Sequence, residues 1–253
     1  TMTKPRDEVS NYTDVARSIA FYLVYVPFTL IFCSLAPMLF GLLPFAYRSK
    51  GLTIWNHTTI FLLKRICGVR YHVTGLEHVP NTPSVFAAKH QSAWETYFFQ
   101  ILFHRPLSTI LKRELLRVPF FGWCLALMRP IAIDRSAPRE ALKQVLECGK
   151  QRIAEGISVL VFPEGSRIDP GKAGKYARSA ASIAESSGAP LIPIAHNAGE
   201  CWSKRSWIIR PGCISVIIDP PISPKGKTSK QLTDLLEASI EGHMQHITGT
   251  ATK

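Results

Sequence analysis

The chain has 253 residues, of which 46% are hydrophobic, and a formal net charge of +12 at pH 7. This length allows one large α/β domain or two small ones, and the composition is that of an ordinary globular protein. The positive charge favours polyanionic partners such as nucleic acid, anionic lipid or phosphorylated small molecules. The six cysteines occur singly, without a C-x-x-C pair, which argues against a zinc ribbon or a thioredoxin-like redox site.

The first long apolar stretch covers residues 18–47 and contains no charged side chain. It exceeds the ~20 residues that a helix needs to cross a bilayer. Three prolines, Pro27, Pro37 and Pro44, interrupt it, and proline kinks or ends a helix. Two membrane arrangements follow: one kinked span, or two short helices that dip into one leaflet, which the short segments between prolines favour slightly. A buried hairpin in the core of a soluble protein is the third alternative.

Basic residues flank this stretch on both sides, among them Arg17 and Lys50, so the positive-inside bias is weak. Residues 51–67 predict an amphipathic helix that lies on the membrane surface. We therefore expect a membrane-associating helical segment over residues 1–67 and an α/β domain over residues 68–253.

Short apolar or alternating segments then alternate with helical ones. The predicted strands are 69–73, 84–88, 107–111, 131–135, 157–162, 191–195 and a hairpin of 206–210 with 213–218. The predicted helices are 93–103, 138–155, 177–187 and 229–247. This order predicts an α/β fold with a mixed, mostly parallel sheet covered by helices, after an N-terminal apolar helical membrane anchor. In such sheets, sites gather at the carboxyl ends of the strands.

His90 follows the second predicted strand, and Glu95 comes five residues later. A histidine can remove a proton from a hydroxyl, and a carboxylate can orient its ring. Positions five apart on one helix differ by about 140°, so the two meet only if His90 precedes the helix and Glu95 lies in its first turn. The alternative is a capping box from Ser92 to Glu95, in which the carboxylate only accepts a backbone N–H.

Two further charged clusters also follow predicted strands. Lys112 and Arg113 precede a turn with proline and aromatic residues, which predicts an anion site beside an apolar wall. Glu164 and Arg167 follow the strand that ends at residue 162, and Arg135 is the charged end of the predicted strand 131–135. An arginine can grip a phosphate with two hydrogen bonds.

These clusters resemble, in order, the conserved blocks of the 1-acyl-sn-glycerol-3-phosphate acyltransferase family of membrane-associated glycerolipid acyltransferases. Residues 90–95 resemble its H-x4-D box, residues 112–123 its second block, residues 162–167 its F-P-E-G-[ST]-R block and residues 191–194 its apolar fourth block. The chain departs from the family at Glu95, where the box usually has aspartate.

The resemblance implies that His90 is a general base and that Glu95 holds its ring. It assigns the remaining matched residues and the nearby Arg135 to substrate binding: Lys112, Arg113, Arg135, Glu164, Gly165, Ser166 and Arg167. The sequence lacks a G-x-S-x-G motif, so direct transfer without an acyl-enzyme is the simpler mechanism. Backbone N–H groups near the His90 loop or Gly165 are candidate oxyanion donors.

The implied reaction moves an acyl group from acyl-CoA or acyl carrier protein to the sn-2 hydroxyl of lysophosphatidic acid, which gives phosphatidic acid. It needs neither a metal nor another cofactor. The resemblance also implies contact with an anionic membrane surface, at the inner membrane with the catalytic domain on the cytoplasmic side.

Two alternatives stay open at the level of sequence. The acceptor could be another lyso-lipid, such as lyso-ornithine lipid or a lysophospholipid with a head group. The chain could also be a non-enzymatic, membrane-tethered protein that binds polyanions. No Walker loop, RNA-binding signature or zinc-finger spacing supports nucleic acid as a partner.

Overall fold

The computed structural model describes residues 11–134 and 136–251, so the predicted ligand Arg135 lies outside the described residues. Seven strands form one sheet in this part of the chain: β1 (Val69–Thr74), β2 (Val85–Ala88), β3 (Leu107–Lys112), β4 (Ile131–Ile133), β5 (Ser158–Val161), β6 (Leu191–His196) and β7 (Gly212–Ile218). Their spatial order is β1-β7-β6-β2-β5-β3-β4. Among the pairs of these seven described strands, β6–β7 alone is antiparallel, so the prediction of a mixed, mostly parallel sheet is confirmed.

Within the described residues, seven α-helices accompany the sheet: α1 (Tyr12–Phe40), α2 (Phe45–Arg65), α3 (Trp94–Leu102), α4 (Phe121–Leu127), α5 (Pro138–Ala154), α6 (Ser179–Ser187) and α7 (Ser229–Ile247). The central strand β2 is buried on both faces, and its side chains alternate between them. Phe86 and Ala88 pack in a cluster with residues of α1, α2 and α3. Val85 and Ala87 pack with residues of α5, α6 and α7. Each face of the sheet is therefore covered by helices.

The parallel strands bring the predicted site residues to one edge of the sheet. Strands β3, β5, β2 and β6 are consecutive neighbours and all run in the same direction. His90 follows β2, Lys112 ends β3, and Glu164 follows β5. Since parallel strands share one carboxyl edge, these side chains meet there although they are far apart in sequence.

The predicted hairpin of residues 206–210 with 213–218 is wrong. β7 pairs with β1 on one side and with β6 on the other, which leaves no free edge for a second hairpin strand. Residues 206–210 form a loop that packs on α1 instead. The backbone N–H of the buried Ile209 donates to Ser18 Oγ at 2.8 Å, and Tyr22 Oη donates to the carbonyl of Trp207 at 3.0 Å.

The apolar N-terminal stretch forms a helical pair. α1 continues for 29 residues through Pro27 and Pro37, and the chain turns only before Pro44, at the start of α2. The slight preference for two short helices separated at the prolines is therefore wrong for Pro27 and Pro37. A proline removes only one intrahelical hydrogen bond, and packing of α1 against α2 and α4 keeps the helix continuous. α2 also begins six residues before the predicted surface helix at residue 51.

α1 is long and apolar enough to cross a membrane by length and composition. Only 17% of its most apolar 18-residue window is buried, which contradicts a hairpin in the core of a soluble protein. Arg17 is exposed in the first turns of α1. From residue 19 onward the exposed large side chains are apolar: Ile19, Leu23, Val24, Val26, Leu30, Ile31, Leu35, Met38 and Leu39. An exposed apolar face of this size indicates association with a membrane.

The opposite face of α1 packs on protein along much of its length. Phe21 is fully buried beside Trp202, and Tyr25 Oη lies 2.9 Å from Tyr97 Oη. Cys33 belongs to a small apolar cluster with residues of α2 and α4. The anchor helix is thus fixed to the α/β domain by contacts near both of its ends.

Candidate active site

His90 and Glu95 lie in direct contact at the carboxyl end of β2. The Nδ1–Oε1 distance is 2.9 Å. The same oxygen accepts the backbone N–H groups of Gln91 at 2.8 Å and Ser92 at 2.7 Å. The catalytic and capping interpretations are therefore compatible, since one carboxylate oxygen holds the imidazole and also fixes the loop that precedes α3.

The environment of Glu95 favours its charged form. Its side chain is fully buried, and burial alone would raise its pKa. Interactions with His196 and His90 and the N–H of Ser92 outweigh burial, so the pKa of Glu95 lies below its usual range. A carboxylate only accepts hydrogen bonds, so Nδ1 of a neutral His90 carries the proton and Nε2 is left as the basic nitrogen.

Residues 162–168, which comprise the F-P-E-G-[ST]-R block and the residue after it, hold the ring and the backbone of His90. The imidazole stacks on Phe162, with ring centroids 4.2 Å apart and planes 20° apart. The N–H of His90 donates to Glu164 Oε2 at 2.8 Å, and its carbonyl accepts the N–H of Ile168 at 2.7 Å. Sequence reasoning missed the role of Phe162, although its place directly after β5 was a usable signal.

His196 supports the same loop from the adjacent strand β6. It is fully buried, its Nε2 lies 2.7 Å from the carbonyl of Lys89, and its Nδ1 accepts the N–H of Ala198 at 3.2 Å. A ring that donates at one nitrogen and accepts at the other is neutral. Burial lowers the pKa of His196, which agrees with this neutral form.

An apolar cavity of about 300 Å³ is lined by His90 and by residues of α2, α3, β3 and α4. Lys112 and Leu107, at opposite ends of β3, both line it, so the cavity follows the whole strand. Gln100, Leu107 and Met128 also line a neighbouring cavity of about 520 Å³ and form the wall between the two. α2 and α4 supply Trp55 and Phe121, of which the sequence left Trp55 unconnected with His90.

Two predicted cations share this cavity with His90, namely Lys112 and Arg167. Lys112 is half exposed and lies 3.4 Å from Glu114. Arg113 and Ser166 are exposed and do not line the cavity. Gly165 forms the turn of the third block with a φ of 68°, a value that side chains other than glycine rarely adopt.

Glu164 does not face the cavity. Its side chain is fully buried, with Oε1 2.7 Å from Lys89 Nζ and Oε2 bonded to the N–H of His90. Burial raises its pKa, and the contacts with Lys89 and the N–H of His90 oppose this rise. With both oxygens engaged inside the protein, Glu164 has no free oxygen for a substrate hydroxyl in this arrangement, contrary to the expectation from the family blocks.

The expected backbone oxyanion donors are also engaged. The N–H of His90 is bonded to Glu164, and those of Gln91 and Ser92 are bonded to Glu95. The N–H of Gly165 donates to the carbonyl of Phe162 at 3.0 Å. A donor that already has an internal partner is not available to an oxyanion, so these four positions do not form the hole.

A mixed α/β sheet whose carboxyl edge carries a histidine–carboxylate pair, open to an apolar cavity, defines an enzyme that acts on a hydrophobic substrate. The model of the acyltransferase family matches residues 70–197. A 1-acyl-sn-glycerol-3-phosphate acyltransferase of Pseudomonas aeruginosa is 44% identical over 220 residues, which is 87% of this chain and 85% of that protein. The chain belongs to the acyltransferase family and is an acyltransferase.

Two more distant comparisons agree with this assignment. A 1-acyl-sn-glycerol-3-phosphate acyltransferase of Cocos nucifera is 26% identical over 81% of this chain and 67% of its own length. The crystal structure of the 1-acyl-sn-glycerophosphate (LPA) acyltransferase PlsC from Thermotoga maritima superimposes with a TM-score of 0.77. At 21% identity, over 96% of this chain and 99% of that one, it shows a common fold.

Proposed function

We propose that the chain transfers an acyl group from an acyl thioester to the sn-2 hydroxyl of 1-acyl-sn-glycerol-3-phosphate, which gives phosphatidic acid. The thioester is carried by coenzyme A or acyl carrier protein, and no metal or other cofactor takes part. The observation that carries this proposal is the 2.9 Å contact between His90 and Glu95 beside an apolar cavity. The names of relatives from Pseudomonas aeruginosa and Cocos nucifera support the acceptor.

The chemical step begins at Nε2 of His90, for which no hydrogen-bond partner is found in residues 11–134 and 136–251. This nitrogen removes the proton of the acceptor hydroxyl while its oxygen forms a bond to the thioester carbonyl carbon. Glu95 stabilises the imidazolium that forms. The carbon–sulfur bond then breaks, and the leaving thiolate takes the proton back from His90. Protons therefore balance, and the enzyme returns to its initial state.

The cavity offers different surroundings to the acyl chain and to the phosphate of the substrates. Its apolar part along β3 suits an acyl chain, since burial of each CH₂ group contributes about 0.8 kcal/mol. Lys112 and Arg167 line the same cavity and supply positive charge for the phosphate of the acceptor. Because the four expected backbone donors are engaged, we also assign these two cations to the negative oxygen of the transition state.

The membrane surface completes the site. The exposed apolar face of α1 and the exposed Phe120 and Trp123 at the start of α4 are positioned to enter the lipid. The opposite face of α1 is bound to the α/β domain, so a perpendicular crossing would draw that domain into the bilayer. We therefore favour insertion into one leaflet. We also propose, on the resemblance to the family alone, that this is the inner membrane and that the catalytic domain lies on the cytoplasmic side.

The test is an acyl-transfer assay with purified protein in detergent. Lysophosphatidic acid, lyso-ornithine lipid and head-group lysophospholipids are offered with both acyl-CoA and acyl carrier protein donors. We expect transfer to lysophosphatidic acid and its loss in His90→Ala, while His72→Ala, which removes an exposed histidine of β1, retains the wild-type rate. His90→Ala protein that acylates lysophosphatidic acid at the wild-type rate would show that the mechanism is wrong.

A further inference from the structure

Lys89 is a fully buried cation that the mechanism above does not use. Its Nζ lies 2.7 Å from Glu164 Oε1 and 2.6 Å from Glu241 Oε1, and it donates to the carbonyl of Lys172 at 3.2 Å. A buried ammonium is stable only when it is paired and hydrogen-bonded. Here three oxygens from separate parts of the chain surround it, and Lys89 is not among the residues that line the apolar cavity.

The ion pair reaches the catalytic residue in one step. Oε1 of Glu164 contacts Lys89, while Oε2 of the same carboxylate accepts the N–H of His90 at 2.8 Å. On the other side, Glu241 of α7 also accepts from Tyr176 Oη at 2.8 Å. A continuous set of contacts therefore runs from α7 through Lys89 and Glu164 to the backbone of His90.

The dipeptide of Lys89 and His90 is fixed at all four backbone polar groups. The N–H of Lys89 donates to the carbonyl of Ile194 at 3.0 Å, and its carbonyl lies 2.7 Å from His196 Nε2. The N–H of His90 is held by Glu164, and its carbonyl accepts from Ile168. Two of these four partners have ionisable side chains. His196 is neutral, whereas the buried carboxylate of Glu164 needs a positive partner when it is charged. That partner is Lys89.

We propose that Lys89 is a positioning residue for catalysis: it holds the buried Glu164 in place, and Glu164 in turn fixes the loop that presents His90 to the acceptor. This inference rests on the proposed role of His90 as general base. It assigns Glu164 to the interior of the protein rather than to the acceptor. Through Glu241, the inference also gives α7 a role in the geometry of the catalytic loop, although α7 is far from His90 in sequence.

Two variants separate charge compensation from other roles. Lys89→Met keeps the length of the side chain and removes the ammonium, which leaves Glu164 buried without its cation. Lys89→Met combined with Glu164→Gln removes both charges, and the amide oxygen of glutamine can still accept the N–H of His90. Lys143→Met, at a side chain of α5 that is 80% exposed, is the matched control.

We expect Lys89→Met to lower kcat about 100-fold, the effect of a small misplacement of a catalytic group. KM for the acceptor and for the thioester should change less than threefold, because Lys89 does not touch either substrate. The double variant should recover at least tenfold of the lost kcat, and Lys143→Met should match the wild type. Far-UV circular dichroism and thermal unfolding check that each variant is folded.

Three results would overturn the proposal: wild-type kcat in Lys89→Met, an effect confined to the acceptor KM, or a double variant that is folded but no more active than Lys89→Met. If Lys89→Met does not fold, the double variant decides, since a folded and active protein supports charge compensation and a folded but inactive one refutes it. His90→Ala is assayed in parallel. Activity in His90→Ala would refute the proposed base, whereas an inactive His90→Ala beside a fully active Lys89→Met would refute only the inference on Lys89.

Discussion

Replacement of Glu95 by glutamine tests the catalytic pair with little change in shape. The amide oxygen can still accept the N–H groups of Gln91 and Ser92, which lie 2.8 and 2.7 Å from Oε1 of the carboxylate. The start of α3 should therefore stay intact. What disappears is the negative charge beside the imidazole of His90, which is needed when that ring becomes positive during proton transfer.

The size of the effect follows from the geometry. Nδ1 and Oε1 are 2.9 Å apart, and Glu95 is fully buried. Unit charges centred about 4 Å apart attract by about 4 kcal/mol at an effective dielectric constant of about 20. Since about 1.4 kcal/mol corresponds to a factor of ten in rate, loss of this attraction should lower kcat about 10³-fold.

The assay compares Glu95→Gln with Glu95→Asp under saturating lysophosphatidic acid and acyl donor. Aspartate keeps the charge on a side chain one methylene shorter, so its kcat should lie between those of the wild type and Glu95→Gln. Both KM values should change less than threefold in Glu95→Gln, because the carboxylate does not line the cavity. A kcat within threefold of the wild type for a folded Glu95→Gln protein would refute the role of Glu95.

Three further predictions concern the phosphate, the acyl chain and stability. Arg167→Ala should raise the acceptor KM about 10- to 100-fold, since a charged hydrogen bond contributes about 1.5–3 kcal/mol; an equal rise in the thioester KM would contradict it. Met128→Trp should shift the preference to shorter acyl donors, because Met128 lines the wall at which the cavity ends; an unchanged chain-length profile would refute that assignment. Burial lowers the pKa of His196, so the unfolded chain takes up a proton at this histidine at higher pH than the folded protein does. The free energy of unfolding is therefore unaffected by this group above the unfolded pKa of about 6.5 and falls by about 1.4 kcal/mol per pH unit below it, down to the folded pKa. The Tm of His196→Gln should therefore vary less between pH 7.5 and 5.5 than that of the wild type, whereas equal pH dependence would count against a buried neutral ring.

The membrane-facing surface shows how far local patterns carry a prediction. The absence of charge over residues 18–47 was enough to predict an apolar helical anchor. The positions of the breaks could not be predicted in the same way, because a proline can end a helix or be accommodated in one. Packing of α1 against α2 and α4 determined that Pro27 and Pro37 lie inside one helix and that Pro44 immediately precedes the next.

The second block shows a similar limit. Its proline and aromatic residues predicted a turn, and the turn is present: the N–H of Phe121 donates to the carbonyl of Pro119 at 2.7 Å, across Phe120 with a φ of 62°. The turn opens directly into α4, which the sequence did not predict. α4 has seven residues and derives its stability from packing on α1, so a short periodic pattern carried little information about it.

The sequence by itself determined the order of the seven strands of the sheet and of helices α3, α5, α6 and α7, the α/β class, the apolar anchor and the catalytic candidates His90 and Glu95. These features depend on periodicity and on spacing within a few residues, which the chain carries locally. Only the tertiary structure decided that Phe162 stacks on His90 and that Lys89 neutralises Glu164 between β2 and α7. Both contacts join residues that are many positions apart in sequence, so no local pattern reports them. The ion pair is needed because a charge that is buried away from water is stable only beside an opposite charge inside the fold.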